Sequence, residues 1–121
     1  MTSWRVALTF DLEHPDRPHR PGNTDRLLDA LDLADVPATL FLQGRWVESQ
    51  PVTAARIGTS RHLVGNHSHY HVRFPLLGDA GIATDLQDGG RAIALKVLRM
   101  DRLDAERERG LRREYATLSR L

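Results

Sequence analysis

The chain has 121 residues, in which 17 Lys and Arg balance 16 Asp and Glu, and it contains no cysteine. This balance argues against a protein that binds nucleic acid mainly by charge, and the missing cysteines exclude disulfides and cysteine metal clusters. The length predicts one domain of about four strand-plus-helix units, in which any metal must be held by His, Asp or Glu.

Apolar runs and helical periodicity alternate along the first half of the chain. The first run stops abruptly at Asp11, and the second is preceded by Val36-Pro37. In order, the predicted elements are a strand at 4–10, a helix capped by Asn23 or Thr24, a strand at 38–42, a helix at 46–57 and a strand at 62–65. This order predicts an α/β fold with parallel strands alternating with helices.

Two carboxylates follow the first predicted strand. Asp11 and Glu13 are two residues apart at the start of a proline-rich loop, so both point the same way on an extended backbone. A helix cap or a solvated loop would also explain them. Their place at the carboxyl end of a buried strand favours a functional site, because catalytic groups collect there in α/β folds.

Histidines are concentrated after the third predicted strand, at His67, His69 and His71. His67 and His71 are four apart, a spacing that lets two imidazoles face one metal ion, although the pair alone is a weak signal. Parallel strands bring their carboxyl ends to one edge of the sheet. We therefore expect Asp11 and Glu13 to converge with the two histidines.

The chain changes character near Gly89-Gly90. Residues 1–90 carry 8 basic and 11 acidic side chains, whereas residues 91–121 carry 9 basic and 5 acidic ones. A helix capped by Asp79 precedes the glycines, which we expect to weaken it. We predict two parts, 1–90 and an Arg-rich helical tail at 91–121, which is either an exposed charged helix or a face for nucleic acid or membrane.

Three ordered segments carry a family resemblance: VALTFDLEHP (6–15), VPATLFLQGRWVE (36–48) and LVGNHSHYH (63–71). They resemble the polysaccharide deacetylases with NodB homology, carbohydrate esterase family 4. The family motif HSxxH fits residues 67–71, while Leu12 stands where the motif TFDDGP has its second aspartate, as in branches with an Asp-x-Glu form. The resemblance covers residues 5 to about 93 and implies a partial NodB-type (β/α) barrel, with its C-terminal part missing or replaced by a charged helix.

The resemblance also implies a chemistry. A divalent metal, with zinc expected, would be held by Glu13, His67 and His71, and Asp11 would be the general base. The reaction would be hydrolytic removal of acetyl groups from N-acetylated sugars, acting on carbon–nitrogen but not peptide bonds. Ser68 is expected to brace the loop by hydrogen bonding.

The later family motifs are missing: an RxPY-type motif, a DxxDW-type motif and a histidine that acts as general acid. No histidine follows His71. His14 and His69 could substitute for the acid, although exposed loop histidines are the plainer interpretation. We therefore expect a truncated or frame-shifted copy, and the alternative function is a catalytically incomplete remnant that binds metal or a partner without turnover.

The expected partner is an N-acetylated carbohydrate, with neither nucleic acid nor membrane. An incomplete parallel sheet leaves an open edge, through which self-association is expected. The sequence has neither a signal-peptide pattern nor a membrane-spanning stretch, which predicts a cytoplasmic protein by default. Members of the family it resembles often act outside the cell or at the cell wall.

Overall fold

The computed structural model describes residues 2–94 and residue 97. Its centre is a parallel sheet of three strands in the order β1-β2-β3: β1 is Thr9–Leu12, β2 is Thr39–Leu42 and β3 is Leu63–Asn66. Leu12 lies opposite Leu42, and Leu42 opposite Asn66. The three strands therefore end in one row.

Helices connect and cover the strands. They are α1 (Asn23–Ala34), α2 (Gly44–Ser49), α3 (Pro51–Gly58) and α4 (Asp79–Ile93), with a 3-10 turn at Phe74–Leu76 before α4. Each parallel pair of strands is thus joined through helix, as parallel pairing requires. None of the helices in the described part of the chain is long and apolar enough to cross a bilayer.

Three helical predictions need correction. The cap of α4 is Gly78, and Asp79, which was predicted to cap it, is the first residue of the helix. The helix expected over 46–57 is two helices, because Pro51 has no N–H to continue the first one and is instead favourable at the first position of a new helix. The cap of α1 is Gly22, at φ 76°, and not Asn23 or Thr24. Glycine adopts this left-handed conformation without steric cost.

The first strand is shorter than the apolar run at 4–10 predicts. It begins at Thr9, and Trp4 and Val6 are 90% and 81% exposed. The Thr39 N–H still bonds to the Leu8 carbonyl, but the next donor along β2 in this register is residue 37, a proline. Pro37 has no N–H, so the ladder stops there.

Leucines from alternate positions of β2 form the centre of the core. Leu40 and Leu42 are fully buried, and the core also contains Leu28 of α1 and Ile57 of α3. Because successive strand residues face opposite sides of the sheet, this spacing buries one face. Burying each such side chain stabilises the fold by roughly 1.5–3 kcal/mol.

Helix α4 continues across residue 90 without a break, despite Gly89 and Gly90. Ile93, at its end, and Val97 are 3% and 2% exposed and belong to the core. The described beginning of the predicted tail therefore packs with the sheet. Most of 91–121 lies outside the described residues, so the division at residue 90 and the helical tail remain predictions.

Candidate metal centre

Loops that follow β1 and β3 bring three predicted site residues together. Glu13 follows β1 directly, and His67 follows β3 directly. Glu13 Oε2 lies 2.6 Å from His67 Nε2 and 3.0 Å from His71 Nε2. One ligand atom from each residue lies within 4.8 Å of the others. The parallel register therefore brings Glu13 together with both histidines, as the sequence predicts, whereas Asp11, which was expected to converge with them, is not part of the cluster.

The surroundings of Glu13 favour its charged form. Burial would raise the pKa of Glu13, but the hydrogen bond from His67 and the positive charges of His71, His14 and His67 together hold that pKa below its ordinary value. A carboxylate oxygen with two imidazole nitrogens is a donor set that suits zinc and similar divalent ions. The residues present therefore fit a divalent cation.

The histidine loop owes its shape to two residues in the left-handed region, Ser68 and His71, both at φ 58°. Ser68 Oγ accepts a hydrogen bond from the His71 N–H at 3.0 Å, and Asn66 Oδ1 accepts one from the Ser68 N–H at 3.0 Å. The Ser68 side chain is thus engaged inside the loop, in agreement with the expected bracing role. These local bonds turn His67 and His71 toward Glu13.

Neighbouring helices hold the loop from two sides. On α4, Asp85 Oδ1 accepts a hydrogen bond from the Tyr70 N–H at 2.9 Å, and the Asp85 carbonyl accepts one from the His69 N–H at 3.1 Å. On α2, the Gly44 N–H donates to the Ser68 carbonyl at 2.8 Å. Asp85 is only 6% exposed, so this support lies in the interior.

Two glycines allow the helices to approach this closely. A Cβ on Gly89 would stand 2.5 Å from the Ser68 carbonyl carbon, and one on Gly44 would overlap the ring of His69. The sequence did not indicate that Gly44, Gly89 and Asp85 support the histidine loop. A glycine inside a helical pattern was the available signal, since it often marks a close packing contact.

Asp11 stands apart from the three clustered residues. It is exposed at the end of β1, and within residues 2–94 its carboxylate makes neither a hydrogen bond nor an ion pair. It lines a cavity of about 370 Å³ together with Glu13, His14 and Trp46. Asp11 and Glu13 therefore open onto the same space, as their spacing predicts.

A second cavity, of about 390 Å³, adjoins the cluster from the histidine side. Its lining combines His67 and His71 with the apolar side chains of Val72, Phe74 and Leu86. The cluster thus borders both cavities, of which the second is mostly apolar. The first cavity gives small molecules access to Asp11, Glu13 and His14, and the second gives them access to His67 and His71.

His14 and His69 are not the exposed loop residues that the plainer interpretation expects. The side chain of His14 is 24% exposed and that of His69 12%. His69 Nδ1 is buried without a hydrogen-bond partner in the described part of the chain, since its ring packs on Gly44. His14 faces Glu13, which brings a third imidazole to the cluster.

The fold and the site together define the class of this protein. It is a parallel α/β domain with a candidate metal centre, formed by a carboxylate and two imidazoles, at the carboxyl ends of its strands. The family model for polysaccharide deacetylases matches residues 2–101. The chain belongs to this family, as the three sequence segments predict.

Relatives with a solved structure or an assigned name align with most of this chain. A chitooligosaccharide deacetylase from Rhizobium leguminosarum bv. trifolii is 33% identical over 88 residues, which are 73% of this chain and 39% of that protein. A family 4 carbohydrate esterase pseudoenzyme from Bacillus anthracis has a TM-score of 0.65 at 32% identity, over 75% of this chain and 31% of that one. An acetyl xylan esterase of the same family from Clostridium thermocellum, in complex with a cobalt ion, has a TM-score of 0.62 at 29% identity, over 75% and 42%.

This chain spans less than half of the length of each of these proteins. The likeness confirms the predicted fold class, in which the three parallel strands and their helices are part of a NodB-type (β/α) barrel.

Proposed function

We propose that the chain is a metal-dependent hydrolase that removes acetyl groups from N-acetylated sugars. The observation that carries this proposal is the meeting of Glu13, His67 and His71 at the strand ends, within 4.8 Å of one another, in a chain of the deacetylase family. The chitooligosaccharide deacetylase among its relatives supports an N-acetylated carbohydrate as substrate.

Glu13, His67 and His71 would hold the cation, and zinc is the ion we propose. The cobalt ion in the Clostridium thermocellum relative supports a divalent metal in this family. When bound, such a cation supplies a Lewis acid that polarises the acetamide carbonyl and lowers the pKa of a water molecule.

Asp11 is the proposed general base. Its carboxylate has no partner within the described residues, so its lone pairs are free to accept the proton of the attacking water. The water oxygen bonds to the acetyl carbon, the carbon–nitrogen bond breaks, and the proton taken by Asp11 passes to the departing nitrogen, so that the products are acetate and the free amine of the sugar. General base catalysis of this kind contributes typically about 10²–10⁴ in rate.

A second candidate function is metal binding without turnover. The family 4 pseudoenzyme with 32% identity to this chain supports this candidate. In that case the cluster would hold a cation and the cavities a ligand, with no cleavage.

One experiment separates the two candidates. The purified chain is assayed for bound zinc and for acetate release from N-acetylglucosamine oligomers, beside Asp11→Asn and His67→Ala. The hydrolase predicts zinc in the wild type and in Asp11→Asn, with acetate release in the wild type alone. Zinc without acetate supports the second candidate, whereas a folded wild type that binds no zinc contradicts both.

A further inference from the structure

The candidate metal centre borders two cavities through different residues. Asp11 and Glu13 line the first cavity, and His67 and His71 line the second. Glu13 Oε2 lies 2.6 Å from His67 Nε2 and 3.0 Å from His71 Nε2, so the carboxylate of one cavity touches the imidazoles of the other. A molecule bound at the cluster is therefore next to both cavities.

The polar side chains in the wall of the second cavity are already hydrogen-bonded inside the protein. Asn66 Nδ2 donates to the Leu86 carbonyl at 2.8 Å, and Asn66 Oδ1 accepts a hydrogen bond from the Ser68 N–H at 3.0 Å. Ser68 Oγ accepts one from the His71 N–H at 3.0 Å. The apolar side chains of this wall are Val72, Phe74 and Leu86. Such a wall suits a hydrocarbon chain better than a sugar, whose hydroxyl groups need free hydrogen-bonding partners.

Asp11 determines which part of the substrate faces which cavity. As the proposed general base it passes its proton to the departing nitrogen, so this nitrogen and the sugar attached to it lie on the side of Asp11. That side is the first cavity, where Asn23, Gln50 and Thr53 present polar side chains. The carbonyl carbon of an amide carries its acyl chain on the side away from the nitrogen. The acyl chain is therefore directed toward the histidines and the second cavity.

We propose that the second cavity binds the acyl chain of the substrate, so that the site prefers N-acyl sugars whose acyl group is longer than acetyl. This inference rests on the proposed metal-dependent hydrolysis and specifies its substrate class. An acetyl group ends in one methyl group, whereas the second cavity has a volume of about 390 Å³. Cavities of about 300–1,000 Å³ bind whole small molecules. The same carbon–nitrogen bond breaks, and the products are the carboxylate of the longer acyl chain and the free amine of the sugar.

The test measures ligand binding, so that it does not depend on turnover. The probes are acetohydroxamate, butanohydroxamate and hexanohydroxamate, because their hydroxamate oxygens bind zinc and their acyl chains take the place of the substrate's chain. Isothermal titration calorimetry on the zinc-loaded, full-length protein gives the Kd of each probe. Competition with a chelating dye gives the zinc affinity of the protein itself.

Three variants accompany the wild type. Phe74→Ser is the informative one, since Phe74 lines the second cavity and is 38% exposed, which makes loss of the fold unexpected. Leu76→Ser is the matched control in the same 3-10 turn, because Leu76 is 76% exposed and does not line this cavity. His67→Ala reports on the metal site. Far-ultraviolet circular dichroism verifies that each variant folds.

The affinity of the wild type should rise with the length of the acyl chain. A fully buried methylene group strengthens binding by about fourfold. Because Val72 and Phe74 are each 38% exposed, burial in this cavity is partial, and we expect a gain of about two- to fourfold per methylene between acetohydroxamate and butanohydroxamate. Phe74→Ser should reduce this gain to below about twofold and change the affinity for acetohydroxamate little. Leu76→Ser should match the wild type.

The outcomes separate this inference from the proposed function. If the wild type binds zinc and acetohydroxamate but gains no affinity with chain length, or if Phe74→Ser gains as much as the wild type, the inference is overturned and the proposed metal site stands. If the folded wild type binds no zinc, or if His67→Ala binds zinc as tightly as the wild type, the proposed function is wrong and this inference falls with it.

Discussion

Replacing Gly89 by alanine tests whether the contact between α4 and the histidine loop shapes the metal site. An added Cβ would lie 2.5 and 2.6 Å from the carbonyl carbon and oxygen of Ser68, and 2.7 Å from Asn66 Oδ1. Ordinary contacts of a Cβ are about a full ångström longer, and two of these atoms are backbone, so either the helix or the loop must shift.

Two opposing effects set the magnitude. Alanine in a helix is favoured over glycine by about 0.5–1 kcal/mol, whereas overpacking a tight interior contact costs typically about 1–3 kcal/mol. We expect Gly89→Ala to lower the free energy of unfolding by about 1–2 kcal/mol. Because the strained atoms belong to the loop that positions His67 and His71, zinc affinity should fall as well.

Gly81→Ala is the control in the same helix. There the nearest atom to an added Cβ is Leu77 Cβ at 3.5 Å, an ordinary contact. This variant should be as stable as the wild type or more stable by up to about 1 kcal/mol. Urea denaturation in the presence of a chelator measures both variants, and dye competition measures zinc affinity. Equal stability and equal zinc affinity for the two variants would refute the packing argument.

Three further changes test other contacts. Arg56→Met removes the ion pairs of 3.1 and 2.7 Å that join α3 to two aspartates of α1. Because these pairs are partly exposed, we expect the free energy of unfolding, measured by urea denaturation, to fall by up to about 1 kcal/mol and by less at high salt. The ionised Glu13 carboxylate stabilises the folded state at pH values above its ordinary pKa of 4.5, and this stabilisation is lost as the pH falls through the lowered pKa of Glu13 in the folded protein. Glu13→Gln should remove it. Metal-free denaturation curves from neutral to acid pH should therefore converge for Glu13→Gln and the wild type. Asp85→Ala should lower the free energy of unfolding by about 1–3 kcal/mol by leaving the Tyr70 N–H unpaired, whereas Asp88→Ala, in the same helix but with a side chain that is 42% exposed, should change the unfolding midpoint little.

The site could be predicted where it depends on local rules. Strand ends, the two-residue spacing of Asp11 and Glu13, and the four-residue spacing of His67 and His71 all follow from backbone geometry. Parallel pairing then brings the strand ends together whatever lies between them. Strand order and register therefore account for Glu13 and the histidine loop reaching the same edge of the sheet.

The remainder depends on contacts between residues distant in sequence. Asp85 and Gly89 act on the histidine loop only because α4 packs against it, and helical periodicity does not say which neighbour a helix meets. The first strand was predicted too long because the sequence shows Pro37 before the second strand but not the register of pairing, which puts Pro37 at the next donor position of the ladder. The turn at His14 depends on Gln43, 29 residues away.

The chain's two tryptophans lie in opposite environments, which makes the protein a natural spectroscopic sensor. Trp4 is 90% exposed, whereas Trp46 is 7% exposed and lines the cavity that contains Asp11. A small aqueous quencher such as iodide quenches the fluorescence of the exposed Trp4 indole and leaves that of the buried Trp46 indole. Emission from the remaining indole then reports directly, without any label, on what enters the cavity beside the carboxylates.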